Sequence, residues 1–269
     1  MTDNPNVNVD ASARAAVVAC DQRLAAAYDA VARRYAQTFA DELDEKPLER
    51  VLLGMIGETA SAGRLADVGC GPGHVTRFLC SRHPDVIGVD ISPRMISLAR
   101  QIAPHAEFSV GSLLSPDVPD DSWLGAVALY SLIHFAPELR AQAIGELARV
   151  LTPGGSLLAA VHVDGPHIQA GDHRRITSFL GAEVDLDGYF IEPEALALDV
   201  EQAGLRVEAV IERRGRASRE LASRRCYLLA KKAHPRKDET NDNQGRRECN
   251  PLLVDSDEGS EPLDAEQRR

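Results

Sequence analysis

An α/β fold built on a doubly wound, mostly parallel sheet of seven strands is what this 269-residue sequence predicts, from three observations. Between Gly63 and Lys232, short apolar runs alternate with helical patterns, as they do where helices cover both faces of a parallel sheet. One such run leads directly into a glycine-rich turn and a helix, Asp67-Val68-Gly69-Cys70-Gly71-Pro72-Gly73-His74. The next run ends in Asp90, about twenty residues beyond the loop, where a strand tip would meet a ligand.

Residues 1–11 are polar and asparagine-rich and read as a flexible N-terminus. Helical periodicity runs from Ala15 to Phe39, with Leu24, Tyr28, Val31, Tyr35 and Phe39 at spacings of three and four and therefore on one face. A second helix follows Pro47 through Leu48, Val51, Leu52 and Ile56 to a stop near Gly63. Strands are expected at Leu65–Val68, Val86–Val89, Glu107–Val110, Ala126–Tyr130, Ser156–Val161, Val207–Ile211 and Cys226–Ala230. Helices are expected between them at His74–Cys80, Pro93–Ala103, Pro137–Leu151 and Pro193–Ala203. Ser92 before Pro93 is a capping serine ahead of a first-turn proline, and Thr152-Pro153-Gly154-Gly155 reads as a sharp turn that ends the preceding helix. Residues 164–190 break the alternation and are too long for an ordinary connection, which marks them as a lid or insertion within one domain over 12–232. Residues 233–269 are charged and nearly free of apolar side chains outside Pro251-Leu252-Leu253-Val254. They read as a disordered acidic tail, with that short apolar patch either a docking motif or simply solvated.

Composition excludes several classes. No stretch approaches the roughly twenty apolar residues of a membrane span, and MTDNPNVNVD has neither the basic nor the apolar region of a secretion signal, so a cytoplasmic protein without a membrane partner is expected. The five cysteines are scattered and have no zinc-type spacing with histidine, so reduced thiols and no metal are expected. A net charge of −11 argues against nucleic acid as a partner. Arg213, Arg214 and Arg216 are either a local basic patch or solvated surface charge, the latter being the plainer reading.

The chemistry concentrates at the glycine-rich loop. A dinucleotide fingerprint requires glycine three residues after the second one, but His74 stands there and the third glycine is one place early, at Gly73. Asp67 at the strand tip is a poor neighbour for pyrophosphate and a good one for a cation. S-adenosylmethionine, with an ammonium, a sulfonium and no phosphate, fits this loop better than NAD does. Asp90 either accepts hydrogen bonds from ribose hydroxyls or caps the following helix, for which Ser92 is the better candidate.

These residues carry a resemblance. YDAVARRYA at Tyr28 to Ala36, LADVGCGPGH at Leu65 to His74, VIGVDISPRMISLAR at Val86 to Arg100, VALYSLIHF at Val127 to Phe135, ARVLTPGGSLLAAVH at Ala148 to His162 and SRRCYLLA at Ser223 to Ala230 resemble the class I, Rossmann-like S-adenosylmethionine-dependent methyltransferases of small-molecule type. The resemblance implies strand order 3-2-1-4-5-7-6 with the last strand antiparallel, and N-terminal helices over the cofactor site. It implies that Gly69, Cys70 and Gly71 contact the methionine part of the cofactor, Asp67 its amino group, Asp90 the ribose, and Ile91 and Met95 the adenine. Tyr130 and Ser131 fall where the methionine part is usually met, and Tyr35 and Tyr28 either face the cofactor or pack their helix. The family often has Gly-Asp after the third strand, whereas this chain has Gly111-Ser112-Leu113, which leaves Ser112 and Leu113 for the adenine.

Methyl transfer from a sulfonium requires mainly positioning and exclusion of water, with a base where the acceptor must lose a proton. His134 and His162, after the fourth and fifth strands, are candidate bases or structural hydrogen-bonders. His167, His173, Arg174 and Arg175 lie in the insertion, where arginine either holds an anionic acceptor or is solvent-exposed. No N-P-P-Y or D-P-P-Y follows the fourth strand and there is no Pro-Cys nucleophile, which leaves a small organic acceptor; a monomer or homodimer is expected. The competing readings are an NAD(P)-dependent oxidoreductase and a non-catalytic S-adenosylmethionine-binding scaffold.

Overall fold

Every residue of Val86–Asp90 is buried, as a strand covered by helices on both faces requires. This strand lies near one edge of a seven-stranded sheet in the computed structural model, which describes residues 5–59, 63–215 and 220–234. The chain runs α1 (Pro5–Phe39), α2 (Pro47–Thr59), β1 (Arg64–Val68), α3 (His74–Cys80), β2 (Val86–Asp90), α4 (Pro93–Ile102), β3 (Glu107–Val110), β4 (Trp123–Leu129), α5 (Pro137–Val150) and β5 (Leu151–Asp164). It continues through β6 (His173–Phe179), β7 (Ala182–Tyr189), α6 (Pro193–Gln202), β8 (Leu205–Arg214) and β9 (Arg224–Lys232).

The sheet order is β3-β2-β1-β4-β5-β9-β8, with β9 antiparallel to both its neighbours. This is the expected order once β6 and β7 are set aside. The order reverses between β1 and β4, and the crevice beyond their carboxyl ends is where open α/β sheets bind ligands.

Several boundaries differ from expectation. The first helix reaches back to Pro5, through residues read as a flexible end. Val51 faces solvent, while Leu52, Leu53 and Ile56 carry the buried face of α2. Thr152-Pro153-Gly154-Gly155 does not stop a helix: α5 ends at Val150, and Leu151 is already extended and paired with Trp123. Trp123 pairs with Leu151 and Gly125 with Ser156, so the four residues form an outward loop inside β5. Burial of Leu151 against the core fixes the strand start before the turn sequence is reached. Residues 235–269, including the expected acidic tail and its apolar patch, lie outside the described residues.

The insertion at 164–190 is ordered as the antiparallel hairpin β6–β7. Asp187 pins it. Its carboxylate accepts from Arg175 (2.8 Å) and is bonded to His173 Nε2 (2.7 Å) on β6, and it meets Arg23 Nη2 (2.7 Å) on α1. Burial pushes this carboxyl up, but the bonds from Arg175 and His173 and the charge of Arg23 hold it below the ordinary range. At the hairpin turn, Arg34 Nη1 on α1 donates to Leu180 O (2.9 Å). Helix α1 and the hairpin thus close over the crevice together.

Beneath the loop, Gly88 on β2 lies against Phe108 of β3 and Cys70; a Cβ there would fall 2.5 Å from the Phe108 ring and 3.0 Å from Cys70 Sγ. Among the described residues, no helix is long and apolar enough to cross a membrane. Gly88→Ala should overpack this contact and cost about 1–3 kcal/mol, read as a lower urea midpoint with an unchanged slope.

Candidate functional site

The loop after β1 is held at both ends by β2. Gly69 N–H and Cys70 N–H both donate to Val89 O (2.7 and 3.0 Å), and Gly71 N–H donates to Asp90 Oδ2 (2.8 Å). Gly69 has φ of +75°, and a Cβ on it would lie 2.4 Å from Ser131 Cβ, so only glycine lets the loop and the segment after β4 approach this closely. The Ser131 hydroxyl is buried there without a partner among the described residues.

Asp90 and Ser92 divide the work that the sequence left open between them. Ser92 Oγ accepts Met95 N–H (3.0 Å), which caps α4, and donates to Asp29 Oδ1 (2.5 Å) on α1. Asp90 Oδ1 accepts Ser92 N–H (2.8 Å), so this carboxylate ties loop to strand without capping the helix. Burial pushes its carboxyl up to about 6. Asp67 is also pushed up to about 6 by burial, while its bond from Thr76 Oγ1 (2.6 Å) works against the rise.

A cavity of about 350 Å³ opens above the loop, within the range of small-molecule sites. Of the residues singled out from sequence, Tyr28, Tyr35, Gly69, Gly71, Asp90, Ile91, Met95, Leu113, Tyr130, Ser131, His134 and His162 line it. Asp67 and Cys70 do not; they face an adjoining recess of about 40 Å³ behind the loop, shared with Tyr35 and Tyr130. Ser112 is turned away, since its hydroxyl donates to Asp21 Oδ1 (2.9 Å) and accepts Leu114 N–H (2.9 Å). His167, His173, Arg174 and Arg175 are not on the wall, and Arg175 is paired with Asp185 and Asp187.

The two histidines differ in what they have left to offer. His134 Nδ1 lies 2.7 Å from Asp187 O, which can only accept, so this nitrogen carries the proton. Nε2 therefore accepts from the Tyr28 hydroxyl (2.6 Å), and both ring nitrogens are engaged. Burial lowers the His134 pKa, against the opposing pull of Asp187. His162 Nδ1 is bonded to Ser223 Oγ (2.7 Å), its ring stacks on Tyr130 at 4.8 Å, and Nε2 has no hydrogen bond to a described residue. Burial, with the charges of Arg225 and Lys46, pushes its pKa down to about 3. Tyr130 itself has φ of +59° and reaches Tyr227 through its hydroxyl (3.2 Å).

Sequence reading missed the charged end of the cavity. Lys46 Nζ donates to Glu42 Oε2 (2.5 Å) and lies 4.0 Å from Glu220, and Arg225, 3% exposed, lies 3.4 Å from Glu220. Glu42 also bonds His74 Nε2 (2.7 Å); burial alone would raise its pKa, but His74 and Lys46 bring it to about 2. Arg213, read as solvated, is instead largely enclosed and bridges Glu49 and Glu220 while donating to Tyr227 (3.0 Å). Arg214 is exposed and Arg216 lies outside the described residues. The hairpin adds Ile176, Phe179, Leu186 and Tyr189, with Phe190 just after it. For Arg225, the one available signal was its place directly before the apolar run Cys226–Ala230.

Residues 65–155 match a protein-family model described as a methyltransferase domain. The chain is 37% identical over 123 residues to a trans-aconitate 2-methyltransferase of Methylobacterium nodulans, covering 44% of this chain and 45% of that protein. It is 29% identical to a malonyl-(acyl-carrier protein) O-methyltransferase of Serratia marcescens, covering 61% and 62%. The chain thus spans from under half to somewhat under two thirds of these curated relatives. Among solved structures, a DhpI–SAH complex superposes with a TM-score of 0.61 at 20% identity over 81% of this chain and 98% of that one, a likeness of fold.

Tyr28→Phe should leave His134 Nε2 buried without a partner and destabilise the fold by about 1–3 kcal/mol, measured by urea unfolding; an unchanged midpoint would show that another group replaces the hydroxyl.

Proposed function

We infer that this chain, which carries a methyltransferase domain on the class I S-adenosylmethionine-dependent methyltransferase fold, transfers a methyl group from S-adenosylmethionine to a small organic acceptor. The observation that supports this most is the loop itself. It is a glycine turn held by Asp90, with two buried carboxyls, Asp67 and Asp90, where a dinucleotide would bring phosphate. The residues present fit this cofactor. The cavity wall carries four carboxylates, Asp21, Glu42, Asp90 and Glu220, against two cations, Lys46 and Arg225, and so favours a ligand of net positive charge. The orphaned Ser131 hydroxyl, facing Gly69, needs a polar partner.

In this reading Gly69, Gly71 and Ser131 hold the methionine part, with the oppositely charged Lys46 and Glu42 beside them to receive its carboxylate and ammonium groups. Cys70 and Asp67 support the loop from behind, where Asp67 adds negative potential. Asp90 accepts one N–H on each oxygen and keeps lone pairs for ribose hydroxyls. Ile91, Met95 and Leu113 form an apolar wall for the adenine; the Ser112 hydroxyl, already bonded to Asp21, is not available to it. Tyr35 closes the cavity from α1. Bound there, S-adenosylmethionine supplies an electrophilic methyl group with a neutral thioether as leaving group. The chain's part is to hold the acceptor in line with that methyl group and keep water out, which α1 and the hairpin do by covering the crevice. His134, with both nitrogens engaged, orients Tyr28, and His162 keeps one nitrogen for the acceptor.

Three outcomes test this reading. Asp90→Ala should weaken S-adenosylmethionine binding by roughly tenfold or more in calorimetry, the scale of lost charge-assisted hydrogen bonds; unchanged affinity would leave Asp90 as a tie between loop and strand only. The raised carboxyls Asp67 and Asp90 stabilise the ligand-free fold fully only below the ordinary carboxylate range, and that contribution is lost as the pH rises through about 6. A cation bound beside the ionised groups offsets the loss, so the rise in melting temperature given by S-adenosylmethionine should be larger at about pH 7.5 than at about pH 5. Micromolar binding of NADH without binding of S-adenosylmethionine would overturn the reading in favour of an oxidoreductase.

A further inference from the structure

We propose that the methyl acceptor is an uncharged, ring-bearing and largely apolar molecule with a single polar group, held between the hairpin and the carboxyl ends of β4 and β5, and not a di- or tricarboxylate. This deepens the methyltransferase reading and rests on it. Aromatic residues are scarce in the chain, with five tyrosines and six phenylalanines in 269 residues. Eight of these eleven line the one cavity above the glycine loop. Phe179, Tyr189 and Phe190 come from the hairpin and its exit, and Tyr130 from the end of β4. Such a concentration builds flat, polarisable walls that favour ring stacking over hydration of charge.

Electrostatics point the same way. Four carboxylates line the cavity against two cations, and each cation already has a carboxylate beside it: Lys46 with Glu42 at 2.5 Å, and Arg225 with Glu220 at 3.4 Å. Arg225 further donates to Ser223 O and Leu221 O (both 3.1 Å), and its Nε, without a partner among the described residues, is buried. Arg175 is held by Asp185 and Asp187, away from the wall. Glu220 is also shared with Arg213 behind it, and Lys46 faces the cofactor's carboxylate as well as Glu42, so an entering carboxylate has to compete for cations already engaged among the described lining residues.

The polar group of the acceptor has a defined place. His162 is stacked on Tyr130 at 4.8 Å and tilted toward Phe190 at 6.3 Å, and its Nδ1 is fixed by Ser223. Its Nε2 is the ring nitrogen left to hydrogen-bond a hydroxyl or amine within the aromatic walls, which makes His162 a positioning residue.

The test is calorimetry on the full chain saturated with S-adenosylhomocysteine, titrated with 2-naphthol and 4-phenylphenol on one side and with trans-aconitate and a malonyl thioester on the other. Binding of the uncharged pair at least roughly tenfold tighter supports the proposal. Phe190→Ala should weaken that binding by roughly tenfold and leave the affinity for S-adenosylhomocysteine unchanged. His162→Phe, which keeps the stack, should weaken the uncharged probes while His162→Gln restores part of the loss. Equal or tighter binding of the carboxylates overturns the proposal, and so does binding of neither set to the loaded protein. Failure of S-adenosylhomocysteine itself to bind would instead remove the methyltransferase reading beneath it.

Discussion

A single carboxylate joins the two backbone segments on which the ligand end of this sheet depends. Asp90 takes Gly71 N–H on one oxygen and Ser92 N–H on the other, so the glycine loop and the entry to α4 hold each other in place. Ser92 passes the constraint on, because its hydroxyl caps α4 and also binds Asp29 on α1. Asp29 in turn accepts Arg94 N–H (3.0 Å), which sets the height of α1 over the crevice. The floor, one wall and the roof of the cavity are thus tied through one short chain of hydrogen bonds. Networks of this kind strengthen each member in a low-dielectric setting and are costly to leave half-made.

The roof has a second anchor. Asp187 gathers Arg23, His173 and Arg175 by its side chain and His134 by its carbonyl, so the hairpin is attached both to α1 and to the segment after β4. Through His134 the same node reaches the Tyr28 hydroxyl, which points back to α1. Position of the hairpin, tautomer of the histidine and orientation of the tyrosine are therefore one coupled arrangement, and a ligand that moves any of them acts on all three.

What was legible in the sequence was local. The strand–glycine–helix unit, the serine cap before Pro93, and the alternation of buried runs with helices each depend on residues close along the chain, and they led to the seven-stranded sheet, while its order came from the family resemblance. The hairpin escaped because β6 is exposed along most of its length and has no apolar run to announce a strand. The charged end of the cavity escaped for a different reason. Glu49 and Arg213 are 164 positions apart, and nothing at either position signals that both will be enclosed together. Arg213 among neighbouring arginines looks like surface charge until β8 and α2 bring a carboxylate to it. The tetrapeptide Thr152-Pro153-Gly154-Gly155 had the right chemistry for a turn, but burial of Leu151 placed that turn inside a strand.

Tyr130 sits in left-handed backbone at the end of β4, a conformation that costs a side-chain-bearing residue roughly 1 kcal/mol or more and glycine almost nothing. The side chain has to offset that cost through its contacts, and it packs against the core cluster beneath β1 and β4. The ring also stacks on His162 and its hydroxyl reaches Tyr227, so the same side chain compensates for the strain and shapes the chamber. Efforts to make this protein hardier by replacing residues of unfavourable backbone geometry would fail at this position, because glycine relieves about 1 kcal/mol of strain and forfeits a larger packing contribution together with one wall of the chamber.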